Sequence, residues 1–163
     1  MNKTKKLTYT AIISAIATAA STVVYIPLGF AKAFPIQHLA NVISAVMLGP
    51  AYAVLQAFLT STLRNLLGTG SLFAYPGSMI GALLASILYS KTKNLELTAT
   101  GEVIGTGIIG AMATYPIGTL LLGQDATLFG LVPAFITSSF VGALLGYVVL
   151  KVLVRNKVLN QVY

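Results

Sequence analysis

The sequence predicts an all-α integral membrane protein with six transmembrane helices, both termini in the cytoplasm and a substrate recess on the outer side. Three observations indicate this class. Of the 163 residues 56% are hydrophobic and only 8% are charged, whereas a soluble domain carries about a quarter charged residues. The mean hydropathy is +0.88. Six prolines divide the chain into apolar segments of helical length.

The first apolar segment predicts helix 1 at about 7–27. The lysines before it and the small residues at 17–19 resemble a signal peptide with its cleavage site. The segment nevertheless continues to Pro27 and so has the ~20 residues that a spanning helix needs. We therefore interpret it as the first span of a single domain over residues 1–163.

Prolines mark the starts of later helices. The N–H groups of the first helical turn have no acceptor within the helix, so proline loses no hydrogen bond there. Helix 2 is predicted at about 35–48 and helix 3 at about 51–67, joined by the Gly49-Pro50 turn. Helices 4, 5 and 6 are predicted at about 77–91, 97–116 and 129–152. Helices 2 and 4 are short for a ~30 Å hydrocarbon core. Short helices beneath the long connections 28–34, 68–75 and 117–128 predict a recess, since irregular backbone at membrane depth must line a cavity or be buried.

The basic residues indicate the orientation. An even number of spans puts both termini on one side, and a cytoplasmic placement puts eight of the ten basic residues inside: Lys3, Lys5, Lys6, Lys91, Lys93, Lys151, Arg155 and Lys157. Only Lys32 and Arg64 then fall toward the outside, as the positive-inside rule requires. This topology explains the formal charge of +7 better than a nucleic-acid partner does.

Composition and motifs argue against an enzyme. The chain has no cysteine, one histidine and three acids, which makes a clustered metal site improbable, and it lacks phosphate-loop, metalloprotease and serine-hydrolase motifs. We expect no cofactor. A carrier driven by a proton gradient usually has acids inside its spans, and Glu102 is the one acid well inside a span here. If the chain moves a solute against its gradient, the energy is therefore expected to come from a partner. Lys32 and Asp125 are interpreted as solvated loop charges.

Polar residues gather near the outer ends of the predicted helices. The candidate substrate-binding residues are His38, Asn41, Arg64, Asn65, Thr69, Tyr75, Ser78 and Tyr115. Aromatic rings with a few placed hydrogen-bonding groups suit a small heteroaromatic solute. Alternatives remain open: Arg64 snorkels to the interface, His38 satisfies free carbonyls, and Glu102 is a structural hydrogen-bond partner across the bundle rather than a ligand contact.

Small residues recur at four-residue spacing on several predicted helices, which lets helix backbones approach closely in a membrane. On helices 4, 5 and 6 the ladders are interpreted as packing within the bundle. Helix 1 carries Ala11, Ala15 and Ala19 at this spacing. That ladder is a candidate docking face for another membrane protein.

The run PIQHLANVISAVMLGPAYAVLQAFLTSTLRNLLGTGSLFAYPGSMIGALLA, followed by GEVIGTGIIGAMATYPIG, resembles the ThiW-type substrate-binding subunits of energy-coupling factor (ECF) vitamin transporters. The likeness covers roughly residues 35–118. Tyr75 before Pro76 is a mild departure from the family's FPGSMIGALLA pattern.

The resemblance implies a six-helix subunit that binds the thiamin precursor hydroxyethylthiazole outside the cell. It implies association with a transmembrane coupling subunit and two cytosolic ATPases, with Ala11 and Ala15 as the best-matching contact positions and Ala19 as an extension. It further implies that the whole subunit topples in the membrane to release the ligand inside. Alternatives are another small vitamin-like heterocycle, a stand-alone gradient-driven carrier that uses Glu102, and a membrane-embedded enzyme or scaffold.

Overall fold

A computed structural model describes residues 1–28, 32–123 and 127–156. Within these ranges the chain forms six helices and one pair of two-residue strands. The helices are α1 (Lys3–Val23), α2 (Pro35–Met47), α3 (Pro50–Leu66), α4 (Ala74–Thr92), α5 (Leu95–Leu121) and α6 (Val132–Arg155). The strands β1 (Ile26–Pro27) and β2 (Lys32–Ala33) pair antiparallel between α1 and α2. Asp125 and Lys157 lie outside the described residues.

Helix α2 is the centre of the bundle and packs against α1, α3, α4, α5 and α6. It has 13 residues, so the prediction of a short second helix is confirmed. Its inner positions combine small apolar residues with polar ones that face neighbouring helices, including Gln37, 1% exposed, and Asn41, 0% exposed, which bond to side chains of α3 and α4. A polar residue in this place is tolerated only when it finds partners, because burial of an unpaired polar group is costly. The core of the protein is therefore partly a hydrogen-bonded one.

Helix α4 differs from its predicted extent. It begins at Ala74 and has 19 residues, so the prediction that it starts at residue 77 and is short was wrong. Pro76 lies in its first turn, where the missing N–H removes no hydrogen bond within the helix. The connection from α3 is shortened accordingly.

Helix α5 is irregular. Regular α-helix over Leu95–Ile104 passes into wider π-helical turns at Gly105–Gly110 and again at Ile117–Leu121. The glycines of the first wide turn lie directly on α4: a Cβ at Gly105 would be 2.8 Å from Gly81 Cα, and one at Gly110 would be 2.6 Å from Gly77 Cα. The small-residue ladders of these two helices therefore serve packing inside the bundle, as predicted.

Helix α1 turns its small polar residues inward, with Thr10, Ser14, Thr18 and Ser21 buried. It packs chiefly on α3 and α2, and Ser14 Oγ donates to Gln56 O at 3.3 Å. The alanine ladder lies beside this buried face and is exposed at Ala11, Ala15 and Ala19. The ladder is therefore not used in packing between the described helices.

By length and apolar composition, two helices in the described part of the chain could cross a membrane, namely Leu95–Leu121 and Val132–Arg155. Lys6 at the start of α1 donates to Leu48 O after the end of α2. Tyr89 and Leu95, on either side of the α4–α5 turn, pack on the cluster that includes Leu150 of α6. The basic residues of α1, of the α4–α5 turn and of the end of α6 consequently meet at one end. The ends of α1 and α3 and the starts of α2, α4 and α6 meet at the other.

Candidate functional site

A cavity of about 510 Å³ opens at the end of the bundle that lacks the lysine clusters. The cavity is bounded by the ends of α1 and α3, the starts of α2, α4 and α6, and the α3–α4 connection. Its wall contains four aromatic rings, Tyr25, Phe34, Phe73 and Phe135. Its polar side chains include Gln37, His38, Arg64, Thr69, Ser78 and Ser138. Rings interspersed with separate hydrogen-bonding groups are typical of a small-molecule site.

Arg64 is in the last turn of α3 and only 2% exposed. Its guanidinium donates to Gln37 Oε1 and to the carbonyl of Thr69 at 2.9 Å, and its Cζ lies 3.8 Å from the centroid of the Phe34 ring. Arg64 therefore turns into the wall of the cavity, and the alternative that it snorkels to the interface was wrong. A buried guanidinium needs acceptors for its N–H groups, and the face of an aromatic ring adds a favourable contact. These contacts stabilise Arg64, although its Nε has no hydrogen-bond partner among the described residues.

The glycine-rich segment after α3 is tied to the helix end. The backbone N–H groups of Thr69 and Gly70 both donate to Arg64 O, at 2.9 and 3.0 Å. Asn65 Nδ2 donates to Ser61 O at 2.8 Å and to Ser71 O at 3.0 Å. A side chain at Gly70 would place its Cβ 2.9 Å from Asn65 N, so this close wrap needs glycine. Asn65 shapes the cavity by holding this segment, and its side chain does not line the cavity.

A polar network lies beneath the cavity, between α2, α4 and α5. Glu102 is 0% exposed, and its Oε1 accepts from His38 Nδ1 at 2.8 Å, Asn41 Nδ2 at 2.9 Å and Thr106 Oγ1 at 3.0 Å. Asn41 Nδ2 also contacts Ser78 Oγ at 2.9 Å. These bonds join three helices, so the prediction of Glu102 as a hydrogen-bond partner across the bundle is confirmed. Carboxylate acceptors make strong bonds of this kind.

The structure brings half of the predicted site residues to the cavity wall. His38, Arg64, Thr69 and Ser78 line it. Asn41 lies one layer below in the Glu102 network, and Asn65 lies behind the α3–α4 segment.

Two predicted residues lie elsewhere. Tyr75 packs on Phe58, with ring centroids 5.7 Å apart, and its hydroxyl meets Thr62 Oγ1 at 3.2 Å. Tyr115 is 40% exposed and does not line the cavity. The prediction of ligand contact by these two tyrosines finds no support in the geometry.

Several wall residues escaped prediction. Phe34 and Phe135 supply aromatic faces, and Gln37 pairs with Arg64. Lys32 lines the mouth of the cavity, with Nζ 4.6 Å from the centroid of the Tyr25 ring, so it is more than a solvated loop charge. An aromatic residue in an apolar chain gives no signal of its own, whereas the polar Gln37 beside His38 was available as one.

Substitution of Arg64 by methionine is expected to weaken ligand binding about tenfold, since two hydrogen bonds and a ring contact that hold the cavity wall are lost. Isothermal calorimetry on the purified protein measures this loss. Arg155→Met is the matched control, because Arg155 is exposed at the end of α6, and it should bind normally. Unchanged folding and affinity in Arg64→Met would show that Arg64 has no part in the site.

Comparisons with known proteins bear on the whole chain. The structure is similar to that of the S component of a bacterial ECF transporter, with a TM-score of 0.77 and 18% sequence identity, over 94% of this chain and 98% of that chain. At this identity the likeness shows a shared fold. A search of curated proteins found no match. The model of the ThiW family, described as thiamine-precursor transporter proteins, matches residues 7–156.

This family is one of transporters and not of enzymes, and together with the shared fold it implies a membrane protein. Since the family match spans nearly the entire chain, the protein belongs to the ThiW family of thiamine-precursor transporter proteins.

Proposed function

We propose that this chain is the substrate-binding subunit of an ECF importer and that it captures hydroxyethylthiazole from outside the cell. The observation that carries the proposal is the cavity of about 510 Å³ between Phe34, His38, Arg64 and Phe135. This volume is within the ~300–1,000 Å³ that small-molecule sites usually have. A thiazole offers a ring face to the two phenylalanines and a few hydrogen-bonding atoms to the polar side chains.

The proposed orientation puts all six helices across the membrane and the cavity on the outer side. The cavity end of the bundle carries Arg64, which is paired within the wall, and Lys32 at the mouth. The opposite end carries the three N-terminal lysines, the two lysines at the α4–α5 turn and Arg155. This asymmetry supports a cytoplasmic placement of both termini under the positive-inside rule.

The proposed partners are a transmembrane coupling subunit and two cytosolic ATPases, which supply the energy for delivery inward by toppling of the whole subunit. The exposed ladder of Ala11, Ala15 and Ala19 on α1 supports such a contact. Alanines let a partner helix approach closely, and in lipid this close packing drives helix association. Exposed bulky residues such as Ile12 and Ile16 flank the ladder and supply side chains that a partner can pack against.

Two other functions remain candidates. The first is capture of another small vitamin-like heterocycle, such as a pyrimidine, a pyridoxine-like compound or intact thiamin, since each also needs ring faces and neutral hydrogen bonds. The second is a gradient-driven carrier with Glu102 as the proton site. Burial of Glu102 at the junction of three helices, with Oε2 lacking a hydrogen-bond partner among the described residues, is the observation that favours the second.

Calorimetry on the purified protein with a ligand panel tests the proposed substrate. Hydroxyethylthiazole, a hydroxymethylpyrimidine, pyridoxine and thiamin are titrated under identical conditions. The proposal expects the thiazole to bind at least tenfold more tightly than each of the others. Preference for another member of the panel would reassign the substrate within the same class, and absence of binding to all four would contradict a vitamin-binding role.

A further inference from the structure

His38 keeps a ring nitrogen available in the cavity wall. Most polar groups of the wall are already paired with the protein. Arg64 donates to Gln37 and to the carbonyl of Thr69, and Ser78 Oγ both accepts from Asn41 Nδ2 and donates to Asn41 Oδ1. Arg64 Nε has no partner among the described residues, but this atom is buried and closed to the cavity. Arg64 and Ser78 can therefore bind a ligand mainly by giving up a protein partner or by using a weaker remaining direction.

His38 differs from them. Its Nδ1 is paired with Glu102 Oε1 at 2.8 Å, and in the part of the chain that the structure describes its Nε2 has no partner. Nε2 is also not one of the fully buried polar atoms that lack a partner in these residues, so it retains some exposed surface. The His38 side chain is 9% exposed and lines the cavity. Nε2 is thus open to the cavity and to little else.

The partners of Glu102 determine which nitrogen carries the proton. Glu102 Oε1 also accepts from the amide of Asn41 at 2.9 Å, so this oxygen acts as an acceptor and Nδ1 of His38 must be the donor. Nε2 is then an acceptor in the neutral ring and a donor in the protonated one. A hydroxyl group both donates and accepts, so it pairs with Nε2 in either state.

We propose that His38 Nε2 recognises a hydroxyl group on the ligand, so that this cavity selects ring compounds carrying a free alcohol. The inference rests on the proposed function, because hydroxyethylthiazole bears such a group. A ligand with an ethyl group in place of the hydroxyethyl group leaves Nε2 dehydrated and unpaired. Loss of one such hydrogen bond weakens binding about tenfold. A carboxylate in place of the hydroxyl pairs only with the protonated ring. Glu102 is the positioning residue that fixes the ring.

The test compares two ligands on three proteins by calorimetry. The ligands are hydroxyethylthiazole and 4-methyl-5-ethylthiazole, which lacks only the hydroxyl. The proteins are the unsubstituted chain, His38→Asn and His38→Gln. Asparagine places its amide near the position of Nδ1 and can keep the bond to Glu102, whereas glutamine reaches the position of Nε2. We expect the unsubstituted chain and His38→Gln to bind the alcohol about tenfold more tightly than the ethyl compound. We expect His38→Asn to bind the two compounds with equal affinity.

A spectroscopic readout isolates the histidine itself. His38 is the one histidine of the sequence, so protein labelled with ¹⁵N-histidine gives NMR signals from this ring alone. The Nε2 resonance should differ between the alcohol complex, in which Nε2 is hydrogen-bonded to the hydroxyl, and the ethyl complex, in which Nε2 has lost its water partner and is unpaired. This measurement uses the unsubstituted protein, so it remains decisive if a His38 variant fails to fold.

Equal affinity for both thiazoles together with the same Nε2 resonance in both complexes would overturn the role of His38 while leaving thiazole binding, and so the proposed function, intact. A preference for the alcohol that survives in His38→Asn and disappears in Ser138→Ala would also overturn it, because Ser138 Oγ accepts from Phe34 N at 2.7 Å and keeps its own proton for a ligand. Failure of every thiazole to bind would instead contradict the proposed function.

Discussion

Replacement of Glu102 by leucine is expected to cost about 3 kcal/mol of unfolding free energy, the scale seen when one member of a buried polar pair is removed. The carboxylate Oε1 accepts from His38, Asn41 and Thr106. Asn41 and Thr106 each have a second acceptor on α4, but among the described residues Nδ1 of His38 has no other. Leucine therefore leaves an imidazole N–H buried without an acceptor, and the ring loses its orientation toward the cavity.

Thermal unfolding in detergent and calorimetry measure the two consequences. Glu102→Gln keeps an acceptor oxygen of similar shape and should retain most of the stability and affinity. Glu96→Leu is the matched control on the same helix, since Glu96 is exposed and its carboxylate accepts from Tyr147 Oη at 3.2 Å near the surface; a loss below about 1 kcal/mol is expected there. A Glu102→Leu protein with unchanged unfolding and affinity would show that the network does not support the site.

Introduction of tryptophan at Ala15 is expected to abolish uptake while leaving ligand binding within about twofold. Ala15 is exposed on α1 and does not line the cavity. A large ring at this position prevents the close approach of a partner helix that small residues permit. Coexpression with the coupling subunit and ATPases, followed by affinity capture and uptake of labelled thiazole, measures association and transport.

Leu144→Trp is the control for this substitution. Leu144 is 51% exposed on α6, so a bulky residue there tests nonspecific effects on a lipid-facing position. Normal uptake is expected. Equal uptake by Ala15→Trp and the unsubstituted chain would exclude the ladder as the docking face. Uptake into liposomes by the chain alone, driven by a pH gradient and lost in Glu102→Gln, would favour the carrier alternative.

Much of the fold follows from local signals in the sequence. Pro35 and the Gly49-Pro50 turn begin α2 and α3 within a residue of the predicted positions, because these residues restrict the backbone wherever they occur. Pro76 misled because it is the third residue of α4, a position that proline also tolerates. Helix ends set by such permissive positions depend on tertiary packing.

The site was predictable where polarity is scarce. Arg64, His38 and Asn41 stand out in a chain with 8% charged residues, because a buried polar group must have a structural or functional partner. Tyr115 was misplaced for a different reason. It lies at the outer end of the predicted helix, but the position of a residue along a helix does not determine which face its side chain occupies. The glycines of the wide turn at Gly105–Gly110 lie in close contact with α4. This contact depends on how two helices pack together, so the sequence of either helix alone does not predict it.

The most direct test of the central claim is a crystal structure of the protein grown with hydroxyethylthiazole, with the anomalous signal of the thiazole sulfur marking the ring. The account predicts one ligand in the cavity, with its ring against Phe34 or Phe135 and its hydroxyl within hydrogen-bond distance of His38 Nε2. A ligand bound with full occupancy at another surface of the bundle, with the cavity between His38 and Arg64 occupied only by water, would contradict it.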